Sequence, residues 1–176
     1  MLTLSLLRHA KSSWDDDAAI DFDRPLNDRG RAAAARMGAL LRAQGLKPDH
    51  VLCSPAMRTR QTFDLAAQTW PGLAKREPDF QPDLYHATPV PLLRAIRAAP
   101  AKKRHVLLVG HNPGLHEFCR WMIASGPAGP RAELQAKLPT GGLVVLTFEV
   151  AKWTQVKPGN GHLLLFARPR DLDDPS

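Results

Sequence analysis

Three apolar runs constrain this chain more than any other feature. Leu2 to Leu7, Val51 to Cys53 and His105 to Gly110 each break off into a polar junction, and a helical pattern follows each one. Near-continuous apolar runs of this length read as strands buried on both faces. Strands alternating with helices predict an α/β three-layer sandwich, a mostly parallel sheet with helices on both faces. In such a sheet, ligands bind beyond the carboxyl ends of the strands. The junctions at Arg8-His9, at Ser54 to Arg58 and at Gly110 to Pro113 are therefore expected to open on one edge.

The intervening segments fit that plan. Lys11 to Pro25 is a polar loop crowded with Asp15, Asp16, Asp17, Asp21 and Asp23. Asn27 is placed to cap a helix running to about Gln44, with Gly45 as its stop. Ser54-Pro55 pairs an N-cap residue with Pro at N1, which predicts a helix from there to about Thr69. Pro71, Pro78 and Pro82 restrict the next segment to a short strand around Glu77 to Phe80. Thr88-Pro89 opens a helix that stops by Pro100, and Asn112-Pro113 starts another that ends before Gly126. Residues 126 to 142 are rich in Gly and Pro and read mostly as loop. Leu143 to Glu149 and His162 to Arg168 read as an antiparallel pair joined through Pro158 to Gly161. Residues 1–170 are expected to form one domain, with residues 171–176 a frayed tail.

With 44% hydrophobic and 23% charged residues in 176, the chain can bury one sizeable core. It has no apolar run of membrane-spanning length and no signal peptide, which together predict a cytoplasmic protein with no membrane association. Cys53 and Cys119 lie in apolar stretches without a CxxC spacing, and are expected to be reduced core thiols. The net charge of +7 is spread singly along helices rather than in runs interleaved with aromatics. That pattern favours anionic substrates or solubility and argues against nucleic acid. No sequence feature sets an oligomeric state.

The residues at the three junctions suit one chemistry. Arg8 offers a fixed cation with forked phosphate-matching geometry. Arg58 falls in the first turn of a helix, where free backbone N–H groups also favour an anion. His9 and His111 complete a group suited to phosphoryl transfer, in which a neutral imidazole attacks phosphorus and the other groups neutralise the equatorial oxygens. No metal and no cofactor is needed for this, and the chain has no Gly-Lys-Ser/Thr phosphate loop. Ser12 and Thr59 are accessory candidates as hydroxyl donors. Trp14 reads as a loop-packing anchor, and His50, His105, His116 and His162 as structural or surface residues.

These residues resemble the motifs of the histidine phosphatase superfamily, which includes phosphoglycerate mutases and acid phosphatases. Leu6-Leu7-Arg8-His9-Ala10-Lys11-Ser12-Ser13-Trp14 is similar to its Arg-His-Gly signature, with Ala10 at the glycine. Arg24 to Gly30, Cys53 to Thr62 and Gly110 to Leu115 resemble its later segments in order. The wording and small size are most similar to SixA-type phosphohistidine phosphatases. The resemblance implies a phosphoglycerate mutase-like fold and a metal-independent hydrolase. His9 would be its nucleophile, and Arg8, Arg58 and His111 would hold the phosphoryl group. The general acid of the superfamily has no obvious counterpart; Asp83, Tyr85 and His86 are the candidates. An absent acid favours a phosphohistidine substrate on a protein, because imidazole leaves more readily than an alkoxide. The alternatives are a small-molecule phosphomonoesterase or mutase on the same site, and a phosphate-binding module without turnover.

Overall fold

The computed structural model describes residues 1–15 and 20–172. β1 (Leu2–Arg8) leads through a 3-10 turn at Asp21–Asp23 to α1 (Asp28–Ala43). The Asn27 side chain accepts from the Gly30 N–H at 2.8 Å and so caps α1. Gly45, at φ +65°, ends it in the left-handed conformation that glycine adopts without strain. β2 (His50–Cys53), α2 (Met57–Gln68), the single turn α3 (Pro71–Ala74) and β3 (Asp79–Phe80) follow. Next come a 3-10 turn at Pro82–Leu84, α4 (Pro89–Arg97), β4 (His105–Gly110) and α5 (Gly114–Met122). The chain continues through β5 (Ile123–Ser125), α6 (Ala128–Ala136), β6 (Leu143–Phe148), a 3-10 turn at Trp153–Gln155 and β7 (Gly161–Ala167).

The seven strands form one sheet in the order β3-β2-β4-β1-β6-β7-β5. β1 pairs parallel with β4, and β2 pairs parallel with β4 and β3. β6 runs antiparallel to both β1 and β7, and β5 joins the edge parallel to β7. Arg8 is opposite Gly110 and Cys53 is opposite Val109, so β1, β2 and β4 end at the same edge. The three junctions meet there, as the strand order in sequence requires.

Alternation along each strand divides the core between the two faces. Leu4, Leu6, Val106, Leu108, Val144 and Leu146 pack under α4 and α5. Leu7, Leu107, Val109 and Val145 pack under α1 and α2. Leu4 and Leu6 are fully buried, and each burial of that kind contributes about 2 kcal/mol. Cys53 and Cys119 are buried free thiols in opposite layers, and burial pushes the Cys53 thiol up to about 12. No helix among the described residues is long and apolar enough to cross a membrane.

Three local expectations change. α2 begins at Met57 rather than at Ser54-Pro55, and the Ser54 hydroxyl has another partner, described below. The segment read as loop over residues 126–142 contains α6: Pro130 sits in its first turn, where a missing N–H is harmless, and Ala, Glu, Leu and Gln carry it on. Trp14 is not a packed anchor but 71% exposed, with the Arg24 guanidinium stacked 3.5 Å over its ring. Asp171 and Leu172 close a 3-10 turn over Pro169–Leu172, and residues 173–176 of the expected tail lie outside the described residues.

Candidate active site

Arg8 is the last residue of β1. Its Nη1 donates to the Leu138 carbonyl at 3.0 Å, and Asn112 Nδ2 donates to the same oxygen at 2.9 Å. The Arg8 guanidinium is thus held from the loop before β6, while its Nε is buried with no partner among the described residues. The chain then turns out of the sheet. His9 N donates to the Gly110 carbonyl at 3.0 Å, and Ala10 N donates to Thr62 Oγ1 at 3.0 Å. Thr62 in turn donates to the Arg58 carbonyl at 2.6 Å, which ties the β1 junction to α2. Ala10 has no positive φ, so alanine sits at this position without strain.

His9 is buried, and its Nδ1 donates to the Ala10 carbonyl at 2.7 Å. A carbonyl can only accept, so the proton is on Nδ1 and Nε2 carries the free lone pair. Burial pushes the His9 pKa down to about 4, with Arg58, Arg8 and Arg24 adding to the shift. The ring is therefore neutral at pH 7, the form that can act as a nucleophile.

His111 follows β4, and its ring centroid is 5.3 Å from that of His9. Its Nε2 is 2.7 Å from Ser54 Oγ. The same Ser54 oxygen accepts from Ala56 N at 3.5 Å, so the hydroxyl proton is available to His111 Nε2. That arrangement leaves the proton of His111 on Nδ1, which is buried without a partner among the described residues. Burial first, then the neighbouring His9 and Arg58, push the His111 pKa down to about 2, so this ring is also neutral.

Arg58, 2% exposed in the first turn of α2, closes the third side. Its Nη1 donates to the Asp21 carbonyl at 2.6 Å and its Nη2 to Asp21 Oδ2 at 3.0 Å. Its Nε is buried and unpartnered among the described residues. Asp21 Oδ2 also accepts from the Tyr85 hydroxyl at 2.5 Å and lies 2.9 Å from His86 Nε2. Asp21 Oδ1 accepts from Arg24 Nε at 3.2 Å and Nη2 at 3.0 Å. Burial alone would raise the Asp21 pKa, but hydrogen bonds from Tyr85, His86 and Arg58 hold it well below the usual carboxylate range. Burial and Asp21 together raise the Tyr85 pKa, so its hydroxyl keeps its proton.

Of the three acid candidates, two line the site. Tyr85 and His86 lie with ring centroids 5.5 and 5.4 Å from His111. His86 is half-exposed at the rim and has φ 51°, the left-handed region that a bulky side chain adopts only under constraint. Asp83 is exposed on the 3-10 turn before them. Of the two accessory hydroxyls, that of Thr59 is already committed as a donor, whereas that of Ser12 only accepts. Thr59 donates to the Ser54 and Ala56 carbonyls at 2.7 and 2.8 Å, and Ser12 Oγ accepts from Arg24 Nη1 at 2.9 Å.

The remaining histidines lie elsewhere. Ser5 Oγ is 2.8 Å from buried His105 Nε2, His116 Nε2 donates to the Leu134 carbonyl at 2.6 Å, and His162 faces Ser125. Ser54 is expected at this edge only as the start of a junction, and Arg24 only within a family-like segment; no local pattern marks either, or Asp21, as a site residue. The crowding of aspartates after the Arg8-His9 pair was the only signal for Asp21, and it does not say which aspartate folds back.

Three buried N–H groups, Arg8 Nε, Arg58 Nε and His111 Nδ1, have no partner among the described residues, and they belong to side chains gathered at the sheet edge with His9, whose Nε2 is bare. Unpaired buried donors are costly, and an anion with several oxygens would satisfy them together. A profile of the histidine phosphatase superfamily (branch 1) matches residues 4–84. An uncharacterized protein of Mycobacterium tuberculosis is 35% identical over 166 residues, 93% of this chain and all of its own length. Among solved structures, a candidate phosphohistidine phosphatase SixA from Agrobacterium tumefaciens is 30% identical with TM-score 0.78, covering 96% of this chain and 98% of its own. Its counterpart from Nakamurella multipartitia is 29% identical with TM-score 0.82, covering 96% of each chain.

Proposed function

The chain belongs to the histidine phosphatase superfamily, and we propose that it hydrolyses phosphohistidine on proteins through a covalent intermediate on His9, without a metal ion. The observation that carries this reading is the neutral His9 imidazole with a bare Nε2, its ring 5.3 Å from that of His111, together with buried donors on Arg8, Arg58 and His111 that have no partner among the described residues. In the first step His9 Nε2 attacks phosphorus in line. The P–Nε2 bond forms and the bond from phosphorus to the substrate imidazole breaks, and that ring, protonated on its other nitrogen, leaves as neutral imidazole with the bonding pair. Arg8, Arg58 and His111 Nδ1–H take the equatorial oxygens, where the charge of a loose transition state is spread. In the second step water attacks phosphorus, the P–Nε2 bond breaks, and phosphate leaves with His9 neutral again.

Three observations support a protein phosphohistidine as substrate. The solved relatives at 29–30% identity bear that activity in their descriptions. The rim groups Asp21 and His86 are half-exposed, so the mouth of the site meets solvent. Asp21, the carboxylate that contacts Arg58, is held ionised and cannot serve as the acid that an alkoxide leaving group needs. An imidazole makes a smaller demand, because a ring protonated on its other nitrogen leaves as the neutral base without an enzyme acid. The reading is tested by a panel comparing phosphohistidine proteins with simple phosphate esters, with His9→Ala as control. Preference for the phosphohistidine proteins supports it. Efficient hydrolysis of esters, with phosphohistidine proteins untouched, makes the chain a small-molecule phosphomonoesterase instead.

A further inference from the structure

Behind the loop that holds Arg8 lies a second cationic cavity of about 590 Å³. It is lined by Lys11, Arg29, Arg36, Lys137, Arg168 and Arg170, with Glu133 as the one carboxylate of the lining among the described residues. Glu133 Oε2 is engaged by Arg168 at 2.9 Å, and Asp171 pairs with Arg168 from outside the lining. The cations come from separate parts of the chain: the segment after His9, one face of α1, the end of α6 and the segment after β7. Arg29 and Arg36 are two helical turns apart, with Ala32 and Ala33 between them. These small residues, with Ala136, Pro139 and Pro169, give the cavity an apolar floor. Arg170 Nε also lies 3.9 Å from Asp171 Oδ1, whereas Lys11, Arg29 and Lys137 pair with no carboxylate among the described residues, and like charges gathered in this way are unfavourable unless something offsets them.

We infer that this cavity binds an organic polyphosphate, a ligand with two or more phosphoryl groups on an apolar body, as in a nucleoside diphosphate. Cations contributed by four separate segments suit separated anionic groups, and the alanine and proline residues of the lining suit an apolar body. The cavity shares a wall with the active site. Pro139 and Thr140 line it, Leu138 on one side holds Arg8, and the Gly141 N–H on the other donates to the Arg8 and His9 carbonyls. Occupancy therefore bears on the loop that fixes Arg8.

The test is calorimetric titration of the full chain with α,β-methylene-ADP, whose bridging carbon resists cleavage. Saturable binding is expected, weakened about tenfold or more in Arg29→Ala/Arg170→Ala, with Lys137→Ala as a second variant. These side chains are exposed, so thermal midpoint and phosphatase turnover should hold. Binding should survive Arg58→Ala. The inference is overturned if the double variant binds as tightly as the parent, or if Arg58→Ala alone abolishes binding. It is also overturned if millimolar analogue shows no saturable binding, the result expected were an acidic protein segment the occupant.

Discussion

Asp21 holds Arg58 by two groups at once: its carboxylate is 3.0 Å from Nη2 and its main-chain carbonyl 2.6 Å from Nη1. A carboxylate has the charge and planar geometry that a guanidinium also seeks in a phosphoryl group. Substrate must therefore share Arg58 with Asp21 or displace it. Asp21→Asn removes the competing charge and should tighten inorganic phosphate, read as product inhibition, by roughly three- to tenfold. Unchanged or weaker inhibition would mean that Asp21 only positions Arg58.

Ser54 acts on the reaction through His111. Ser54→Ala leaves His111 Nε2 without its partner at 2.7 Å and frees the ring to turn. Turnover should fall about tenfold with KM little changed, and stability by roughly 1–3 kcal/mol. Ser54→Thr, which keeps the hydroxyl, should restore most of the turnover. A stability loss with normal kcat would reduce Ser54 to a packing residue.

The rim candidates separate by leaving group. His86→Ala should slow hydrolysis of phenyl phosphate about tenfold, yet leave phosphohistidine hydrolysis within about twofold, because only the alkoxide-like leaving group needs the proton. Asp83→Asn, on the exposed 3-10 turn, should change neither rate. Equal losses on both substrates in His86→Ala would show that His86 binds rather than protonates.

Buried histidines set the acid side of the stability profile. His9 and His105 are each held down to about 4, chiefly by burial, whereas an unfolded histidine titrates near 6.5. Between these values the unfolded chain binds more protons than the folded one, so stability falls as pH drops. No penalty applies above about pH 6.5; by pH 4 each group alone costs roughly 3 kcal/mol. Urea midpoints from pH 7 to 4.5 should decline, and His105→Gln should flatten the slope by about one proton. A flat profile would place these rings in contact with solvent.

Legibility tracked the range of the interactions. β4 and the Asn27 cap of α1 could be read because strand periodicity and capping act over a few residues. The meeting of Arg8, His9, Arg58 and His111 could be read because parallel strands deliver their ends to one edge. α6 was obscured by Gly129 and Pro130, which break a helix interior but not a first turn. Ser54 reads locally as a cap, but its hydroxyl is taken by a partner 57 positions away. Asp21 and Trp14 lie on a loop whose course is set by Arg58 and Arg24, and no local rule reports that.

The central claim is that His9 Nε2 carries the phosphoryl group between the two steps. Rapid quenching of the enzyme with a ³²P-phosphohistidine protein tests it most directly, with peptide mapping of the trapped label and His9→Ala run in parallel. The account predicts label on His9 that is lost in acid and stable in alkali, with neither label nor turnover in His9→Ala. Turnover retained by His9→Ala, or label mapping to His111, would contradict it.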